Sequence, residues 1–433
     1  MASTYLTRTQ GTPTSTDIGT ISFWVKRGTL SKNNEYILQN YIDSSNYGYI
    51  RWKSDDELQI FNNSINDEKR TNRVFRDTNA WYHIVLRVDT TQSTANDRVR
   101  LYINGVQETS FNPNTNGSQN ADYDLFKSGG TMRIGYVSSG TATYFDGCLS
   151  HFHYCDGQSY APTVFGSTDS TTGEWKINTS PTITMGSQGF TILKDGNTIT
   201  DQSSNSNDFT LGGGTLTKTE DNPSNVFAVW NRLDHKSTGW NMQNGNTRLQ
   251  GTGGDSWETR RAISTIGASS GKYYAELKMT TAGNDSYPFG VGYNVFDLSY
   301  SSSMGSNSNF WGYYQPAGGQ IYGGGTGSPL QTGLGGGTGD IIGIALDIDN
   351  LTLQFYKNGS TMGSQITGLP SGKTWFFASS GYGNTNTFDC NFGNGYFGST
   401  QISSAGTNAS GIGIFEYDVP SGYTALSTKG LNE

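Results

Sequence analysis

Cysteine is scarce in this sequence, with three residues among 433. Cys148 and Cys155 lie in one apparent strand, which places their Cα atoms about 23 Å apart. A disulfide needs Cα atoms within roughly 7 Å of each other, so these two cannot pair. Cys390 alternates with Phe388 and Phe392, as a small core residue does. We therefore predict three free thiols, which suits a protein made in a reducing cytoplasm.

Long apolar runs and an excess of basic charge are also missing. The first ten residues, MASTYLTRTQ, lack the apolar core of a signal peptide, and no apolar run is long enough to span a bilayer. The formal net charge is −8, whereas a protein that follows nucleic-acid phosphates needs a basic surface. The sequence thus predicts no nucleic-acid partner, no membrane insertion and no export by the ordinary secretory route.

Helical patterning is absent as well, and glycine, aromatic residues and strict alternation take its place. The chain has 58 Gly and 13% aromatic residues, which favours short strands and turns. Residues 81–107 hold two runs with apolar side chains at every second position, followed by Asn104-Gly105, a tight-turn dipeptide. Residues 340–359 repeat this arrangement. Because 433 residues exceed one compact core, we predict an all-β fold of two tandem β-sandwiches with a short β-rich connector.

Long segments of the first half carry a family resemblance. They are RDTNAWYHIVLRVDTTQSTANDRVRLYINGVQ at 76–107 and IGYVSSGTATYFDGCLSHFHYCDGQSYAPTVFG at 134–166. Both resemble the laminin-G-like, concanavalin A-type jelly roll of tailed-phage structural proteins, those of marine cyanophages especially. DQSSNSNDFTLGGGTLTKTEDNPSNVFAVWN, at 201–231, resembles the segment that follows this jelly roll in the same proteins. The resemblance implies two concanavalin-type sandwiches (jelly rolls) and a viral origin.

The second half holds GKYYAELKM at 271–279, FGVGY at 289–293 and GDIIGIALDIDNLTLQFYKNG at 339–359. These segments resemble a SPRY domain, itself a concanavalin-like β-sandwich. The tail FEYDVPSGYTALSTKGLNE resembles the end of phage SPRY modules. We accordingly predict a laminin-G-like jelly roll at 1–166, a β-rich connector at 167–240, a SPRY-like β-sandwich at 241–398 and a C-terminal tail at 399–433. A short hairpin around Asp195-Gly196 is expected within the connector.

Carboxylates that could hydrolyse glycosidic bonds are few. Asp347 and Asp349 share one face at a strand end, and paired carboxylates can perform acid–base chemistry. The same residues suit turn formation, because Asp-Asn starts a hairpin well. Acidic residues at every second position, the pattern of jelly-roll glycosidases, are not found, and neither is a Ser/His/Asp set. We predict that the protein is not an enzyme, with a polysaccharide-degrading enzyme as the disfavoured alternative.

His151 and His153 are neighbours in one strand, with Asp146 and Asp156 nearby, and the alternation slips near Ser150, which predicts a bulge. A zinc site needs three or four converging ligands, so we interpret the two histidines as surface or interface residues. Laminin-G-like domains often bind calcium at their rim through Asp and carbonyl oxygens. The resemblance therefore implies calcium (Ca) as the metal to consider. No matching ligand set maps onto this chain, so we predict no cofactor and assign no metal ligand.

Aromatic residues concentrate in a glycine-rich stretch at 310–322, which we predict to be a surface loop. Aromatic rings stack on the apolar faces of sugars, small neighbours let a ligand come close, and SPRY relatives bind peptides with loops at this end. The alternative is that the rings pack on the sheet, which we favour for Trp311. The candidate ligand-binding residues are Trp311, Tyr313, Tyr314 and Tyr322, together with Tyr47 and Trp52 in the first sandwich.

These patterns and the resemblance together predict a non-enzymatic virion structural protein. We expect a tail-fibre or other appendage component that displays lectin-like sandwiches and attaches to a glycan or protein of the host surface. A capsid decoration or head-fibre protein is the alternative, because such modules occur on several parts of a virion. The expected partners are other virion proteins and the host ligand, and a homo-oligomer stays open. The expected location is the virion surface, after synthesis in the host cytoplasm.

Overall fold

The computed structural model describes residues 3–137, 143–194, 198–234, 239–252, 261–283, 286–293, 306–315, 318–381 and 386–432. Within these ranges the regular structure is β-strand, with short 3₁₀ turns at Ala95–Asp97, Asp124–Phe126, Pro162–Val164 and Gly430–Asn432. No helix in this part of the chain is long and apolar enough to cross a membrane. The chain forms two compact units, Met1–Lys218 and Thr219–Glu433. The all-β prediction is confirmed, and the division between the units lies inside the predicted connector at 167–240.

The first unit is built from two large antiparallel sheets. Its strands are β1 Tyr5–Thr9, β2 Ile18–Arg27, β3 Glu35–Tyr41, β4 Tyr47–Trp52, β5 Glu57–Asn62, β6 Asp67–Val74, β7 Trp81–Asp89, β8 Val99–Ile103, β9 Val106–Glu108, β10 Phe111–Thr115, β11 Thr131–Ile134, β12 Tyr136–Val137, β13 Thr143–Tyr144, β14 Gly147–Asp156, β15 Gly166–Thr168, β16 Trp175–Ile177, β17 Phe190–Ile192 and β18 Thr210–Gly213. The eight-stranded sheet has the order β10-β6-β5-β4-β3-β11-β1-β18, and the six-stranded sheet has the order β17-β14-β2-β7-β8-β9. Strands β17 and β18 come from the predicted connector and complete the sheets of this unit.

Alternation explains how the first core forms. Ile84 and Leu86 on β7 pack in one buried cluster with Ile50 on β4 and Ile60 on β5, so that one face of each sheet is apolar. The three cysteines, Cys148 and Cys155 on β14 and Cys390 on β31 of the second unit, are free thiols, as predicted.

Two local predictions in this unit are confirmed. Asn104 and Gly105 have φ angles of 48° and 77°, the left-handed values that the tight turn between β8 and β9 requires. The pairing of β14 with β2 shifts register between Ser150 and His153, and His151 at the shift has a φ of 47°. This is the predicted bulge. The turn expected at 195–196 lies outside the described residues.

The second unit also contains two large sheets. Its strands are β19 Trp240–Gln243, β20 Arg248–Gly251, β21 Arg261–Ile263, β22 Lys272–Thr281, β23 Ser286–Gly292, β24 Phe310–Tyr314, β25 Gln320–Gly323, β26 Gln331–Thr332, β27 Ile341–Asp347, β28 Thr352–Lys357, β29 Ser360–Thr367, β30 Phe376–Gly381, β31 Thr387–Asn391, β32 Tyr396–Phe397, β33 Thr400–Gln401 and β34 Thr424–Ala425. One sheet has the order β19-β20-β31-β22-β27-β28-β29, with β34 added beside β22, and the other has the order β21-β30-β23-β24-β25-β26.

The core of the second unit follows the same rule. Ile342, Ile344 and Leu346 on β27 are buried in one cluster with Phe289 of the six-stranded sheet. The predicted tail contributes to this unit, because β34 pairs in parallel with β22. Each unit is therefore a two-sheet sandwich with its own core.

Candidate ligand-binding surfaces

The stretch at 310–322 is a β-hairpin, which corrects the prediction of a surface loop. Phe310–Tyr314 and Gln320–Gly323 pair antiparallel, with Gly312 opposite Tyr322. The physical reason is alternation: Trp311, Tyr313 and Ile321 enter the core while their neighbours face away. The hairpin therefore sorts the candidate aromatic residues onto two faces of the six-stranded sheet.

Trp311 and Tyr313 face the core of the second unit. Trp311 is 7% exposed, and its ring lies 5.4 Å from that of Trp375. Tyr313 is fully buried, and its hydroxyl donates a hydrogen bond of 2.6 Å to the carbonyl oxygen of Gly335. Burial raises the pKa of Tyr313, so the phenol stays neutral. Because neither ring presents a face to solvent, these two residues are packing residues in this structure.

Tyr314 and Tyr322 lie together on the outward face of the same sheet and are partly exposed. Their ring centroids are 5.6 Å apart in an edge-to-face arrangement. Tyr287 completes a three-tyrosine cluster, at 4.7 Å from Tyr314 and 5.9 Å from Tyr322. The hydroxyl of Tyr322 donates to Oε1 of Gln320 at 3.1 Å. The cluster thus combines exposed ring area with polar atoms at its rim.

A β-bulge places Tyr287 in this cluster. Tyr287 pairs with Ser380, but Gly290 pairs with Ala378, so three steps along β23 match two steps along β30. The extra residue turns Tyr287 to the face that carries Gly290, and not to the core face of Phe289. Simple alternation predicts the opposite face, which is why the sequence did not identify Tyr287.

Two glycines let an aromatic ring support the cluster from the side. Gly290 and Gly312 are cross-strand neighbours, and a Cβ atom at either position would overlap the ring of Phe310. Phe310 is fully buried and meets Tyr287 edge to face at 5.7 Å. The three-tyrosine cluster is therefore held by packed strands, which fixes its ring positions.

In the first unit, Trp52 is also a packing residue. It is fully buried, and the guanidinium of Arg27 lies 4.9 Å from its ring. Arg27 forms buried ion pairs with Asp56 at 3.0 Å and with Glu35 at 3.3 Å. A ring that covers an internal ion cluster cannot stack on an external ligand, so the ligand-binding prediction for Trp52 is not supported by its position.

Tyr47 lies on the opposite, outward face of the eight-stranded sheet and is partly exposed. Three further rings surround it: Tyr41 at 6.1 Å, Tyr49 at 6.3 Å and Phe61 at 6.0 Å between ring centroids. We call these four residues the tyrosine platform. The sequence signal for it is the pair Tyr47 and Tyr49, two positions apart in β4, whereas Tyr41 and Phe61 come from the neighbouring strands β3 and β5.

The histidines at 151 and 153 are buried, which corrects their interpretation as surface or interface residues. His153 is 3% exposed, and its Nδ1 lies 2.8 Å from Oγ1 of Thr191 on the neighbouring strand β17. The added strand covers this part of β14, which the sequence did not reveal. In the part of the chain that the structure describes, no group of three or more His, Cys, Asp and Glu side chains could hold a metal ion.

Asp347 and Asp349 stabilise a turn. Asp347 accepts hydrogen bonds from the backbone and side-chain nitrogens of Asn350 and lies 3.0 Å from Nζ of Lys272. Desolvation raises the pKa of Asp347, but the bonds from Asn350 and Lys272 outweigh it and lower the pKa below its usual value. Asp349 accepts a bond of 2.8 Å from the backbone N–H of Gly271. The general acid of a glycosidase needs a raised pKa, whereas the pKa of Asp347 is lowered. The hydrogen bonds of both residues suit a turn.

Comparison with known families matches each sandwich separately. Residues 2–164 match a laminin G model described as the concanavalin A-like lectin/glucanases superfamily. Residues 272–395 match the SPRY domain. The chain therefore carries a laminin-G-like, concanavalin A-like domain followed by a SPRY domain.

Individual similar proteins share only part of this architecture. Ran-binding protein 9 of Danio rerio is 34% identical over 110 residues, which are 25% of this chain and 18% of that protein. Ran-binding protein 9 of Homo sapiens is 34% identical over 110 residues, 25% of this chain and 15% of its own length. The match thus spans less than a fifth of these relatives.

Among solved structures, the TRIM65 PSpry domain is 15% identical with a TM-score of 0.30, covering 38% of this chain and 91% of that domain. A SAP-like pentraxin from Limulus polyphemus is 19% identical with a TM-score of 0.28, covering 37% of this chain and 72% of its own.

Proposed function

We propose that this chain is a non-enzymatic recognition protein of a phage virion, carried on a tail fibre or other appendage. Lectin-like and SPRY domains indicate a binding role, and the three-tyrosine cluster is the observation that supports a contact surface. The rings of Tyr314 and Tyr322 are large and partly exposed, carry hydroxyl groups and are held on strands beside the buried Tyr287, so little side-chain entropy is lost on binding. The viral assignment rests on the resemblance of the segments at 76–107, 134–166 and 415–433.

The proposed partner is a glycan or protein of the host surface, with other virion proteins as the attachment partners. The names of the Ran-binding relatives describe protein binding by those proteins, which is a reason to include protein ligands in any test. With a formal net charge of −8, the chain as a whole is not steered toward an anionic envelope, so stacking and hydrogen bonds must provide the affinity. Location on the virion surface follows from this role.

Adsorption of the labelled, purified chain to host cells tests the contact. Tyr314→Ala and Tyr322→Ala should each weaken adsorption by about 2 kcal/mol, as truncated hot-spot residues do, with little change in melting temperature. Tyr356→Ala is the matched control, because Tyr356 is a partly exposed tyrosine on the other sheet of the same unit. Unchanged adsorption in both variants would rule out the three-tyrosine cluster as the contact.

Two further measurements separate the alternatives. Immunogold labelling of virions distinguishes an appendage from a capsid decoration or head fibre. Incubation with host polysaccharide, followed by a reducing-end assay, tests the enzymatic alternative. Sustained release that a single Asp or Glu substitution abolishes would overturn the non-enzymatic assignment.

A further inference from the structure

The outward face of the eight-stranded sheet in the first unit carries one continuous row of cross-strand neighbours. The row consists of Thr7, Arg133, Gln39, Tyr49, Phe61 and Glu68. Directly paired residues point to the same side of a sheet, and here that side is opposite to the buried core residues Leu38, Ile50 and Ile60. Neighbouring strands are about 4.8 Å apart, so the distance from Arg133 to Phe61 is about 14 Å.

Two adjacent members of the row have unsatisfied polar atoms. Within the described ranges, no residue is a hydrogen-bond partner for the buried atoms Oε1 of Gln39 and Nη1 of Arg133. Gln39 is 3% exposed, whereas Arg133 is partly exposed. An acceptor and a donor that are removed from water without partners are unfavourable. A ligand that offers both a hydroxyl donor and an oxygen acceptor would satisfy them together.

The charges on this face point to an anion. Among the residues that the structure describes, neither Arg133 nor Arg51 has a carboxylate within ion-pair distance. Arg51 donates to the hydroxyl of Tyr36 at 2.6 Å and lies 4.5 Å from the ring of Tyr49. The guanidinium of Arg70 on β6, beside the edge strand β10, is by contrast paired with Asp55 and Glu57. The guanidinium of Arg133 therefore has no carboxylate partner among the described residues, and the acidic member of the row, Glu68, lies four strands away on β6.

The tyrosine platform lies beside these groups. Tyr49 belongs to the row but is only 7% exposed, so the exposed ring area of the platform comes from the partly exposed Tyr41, Tyr47 and Phe61. Tyr47 is stacked on Tyr49 with an angle of 17° between the ring planes. Exposed aromatic faces accept the C–H faces of pyranose rings, and tyrosine hydroxyls add hydrogen bonds. Partly exposed aromatic rings near a guanidinium that has no carboxylate partner match a sugar that bears both C–H faces and a carboxylate.

We infer that this face binds a carboxylate-bearing saccharide, with the guanidinium of Arg133 on the carboxylate, Gln39 on a hydroxyl group and the tyrosine platform under the sugar rings. A planar guanidinium can bind a carboxylate through two parallel hydrogen bonds. The inference rests on the recognition role proposed above and adds the chemical class of one ligand. It concerns the first unit, whereas the adsorption test above concerns the second.

Titration calorimetry of the full chain at low ionic strength tests it, with oligogalacturonate as the probe and its methyl ester as the uncharged probe. The free acid should bind about tenfold or more tightly than the ester, since a charge-assisted hydrogen bond is about twice as strong as a neutral one. Arg133→Gln should remove that preference, and Arg133→Lys should restore part of it. Tyr47→Ala should weaken binding of both probes. Arg100→Gln makes the same charge change on the six-stranded sheet. This variant should leave the affinities for both probes unchanged.

Equal affinity for acid and ester, or no measurable binding of the acid, would overturn the inference. So would an unchanged preference in Arg133→Gln at an unchanged melting temperature. Equally tight, Arg133-dependent binding of polyglutamate would overturn the saccharide class and assign an acidic peptide. If host-cell adsorption still depends on Tyr314 and Tyr322 in these cases, the recognition role stands and this ligand alone is rejected.

Discussion

The indole nitrogen of Trp175 donates a hydrogen bond of 2.9 Å to Nδ1 of His83. Because Nδ1 must supply a lone pair for this bond, the ring proton is on Nε2, which lies 2.9 Å from Oγ of Ser22. His83 therefore donates to Ser22 and cannot act as the base of a serine nucleophile. Ser22 and His83 are as close as the serine and histidine of a catalytic dyad. The hydrogen bond between them runs in the direction opposite to the one that acyl transfer requires.

The first unit should lose stability as the pH falls below about 6.5. Burial, with a smaller effect from His151, lowers the pKa values of His83 and His153 to about 3. In the unfolded chain both rings take up protons near their ordinary pKa of about 6.5, so acid favours unfolding between about pH 6.5 and about pH 3. At about pH 5 the cost is about 2 kcal/mol for each histidine. Burial raises the pKa of Glu35 to about 6, and this smaller shift acts against the loss of stability in acid.

Calorimetric melting of the full chain between about pH 5 and pH 7.5 measures this effect. His153→Asn should reduce the pH dependence of one transition and leave the other transition unchanged. A first-unit transition that does not move between these pH values would show that both rings are protonated or exposed in the folded state.

The second unit should show the opposite pH dependence. Glu276 is fully buried and accepts hydrogen bonds from the backbone N–H groups of Glu416 at 2.8 Å and Tyr417 at 2.9 Å. Burial outweighs these bonds and raises the pKa of Glu276 to about 7. A raised folded-state pKa stabilises the protein fully below about pH 4.5, and this stabilisation is lost as the pH rises through about 7.

The same calorimetric series tests this prediction. The second transition should move to lower temperature between about pH 5 and pH 7.5, by an amount equivalent to about 2–3 kcal/mol. Glu276→Gln should abolish this shift while lowering stability at every pH. The amide nitrogen of glutamine, a donor, would replace one carboxylate oxygen and face a backbone N–H. A pH shift that survives in Glu276→Gln would assign it to another group.

Much of the fold is predictable from sequence because its signals are local. The alternation at 81–107 and 340–359 and the Asn-Gly turns fix strands and hairpins without reference to distant residues. The candidate site is not local in this way. In β4, Tyr47 and Trp52 have opposite parity and both are aromatic, so only the partner sheet decides which ring is buried. For Tyr287, the deciding feature is a bulge in its pairing with a strand about ninety residues away in sequence.

Substitution of the two candidate aromatics in β4 should therefore have opposite consequences. Trp52→Ala removes a fully buried ring that covers Arg27, and we expect it to destabilise the first unit by about 3–5 kcal/mol. Tyr47→Ala truncates a partly exposed ring and should cost about 1 kcal/mol or less. Urea unfolding of both variants measures the difference, and near-equal losses of stability would mean that Tyr47 is part of the core.

The two units should fold separately, provided that the cut respects the second core. Trp230 is fully buried in that core, with its ring 5.1 Å from that of Phe392 and its backbone N–H bonded to the carbonyl of Asn246 at 2.9 Å. A fragment that begins at Gly239 lacks Trp230 and should lose about 3–5 kcal/mol, as large truncations in cores do, which approaches the whole stability of a domain. Fragments Met1–Lys218 and Thr219–Glu433 keep each core complete and should each melt cooperatively with β-type circular dichroism.

The fragment from Gly239 is the control and should aggregate or melt without cooperativity. Cooperative folding of that control at the stability of the longer fragment would mean that Trp230 contributes nothing to the second core, and aggregation of the longer fragment alone would mean that the two units depend on each other.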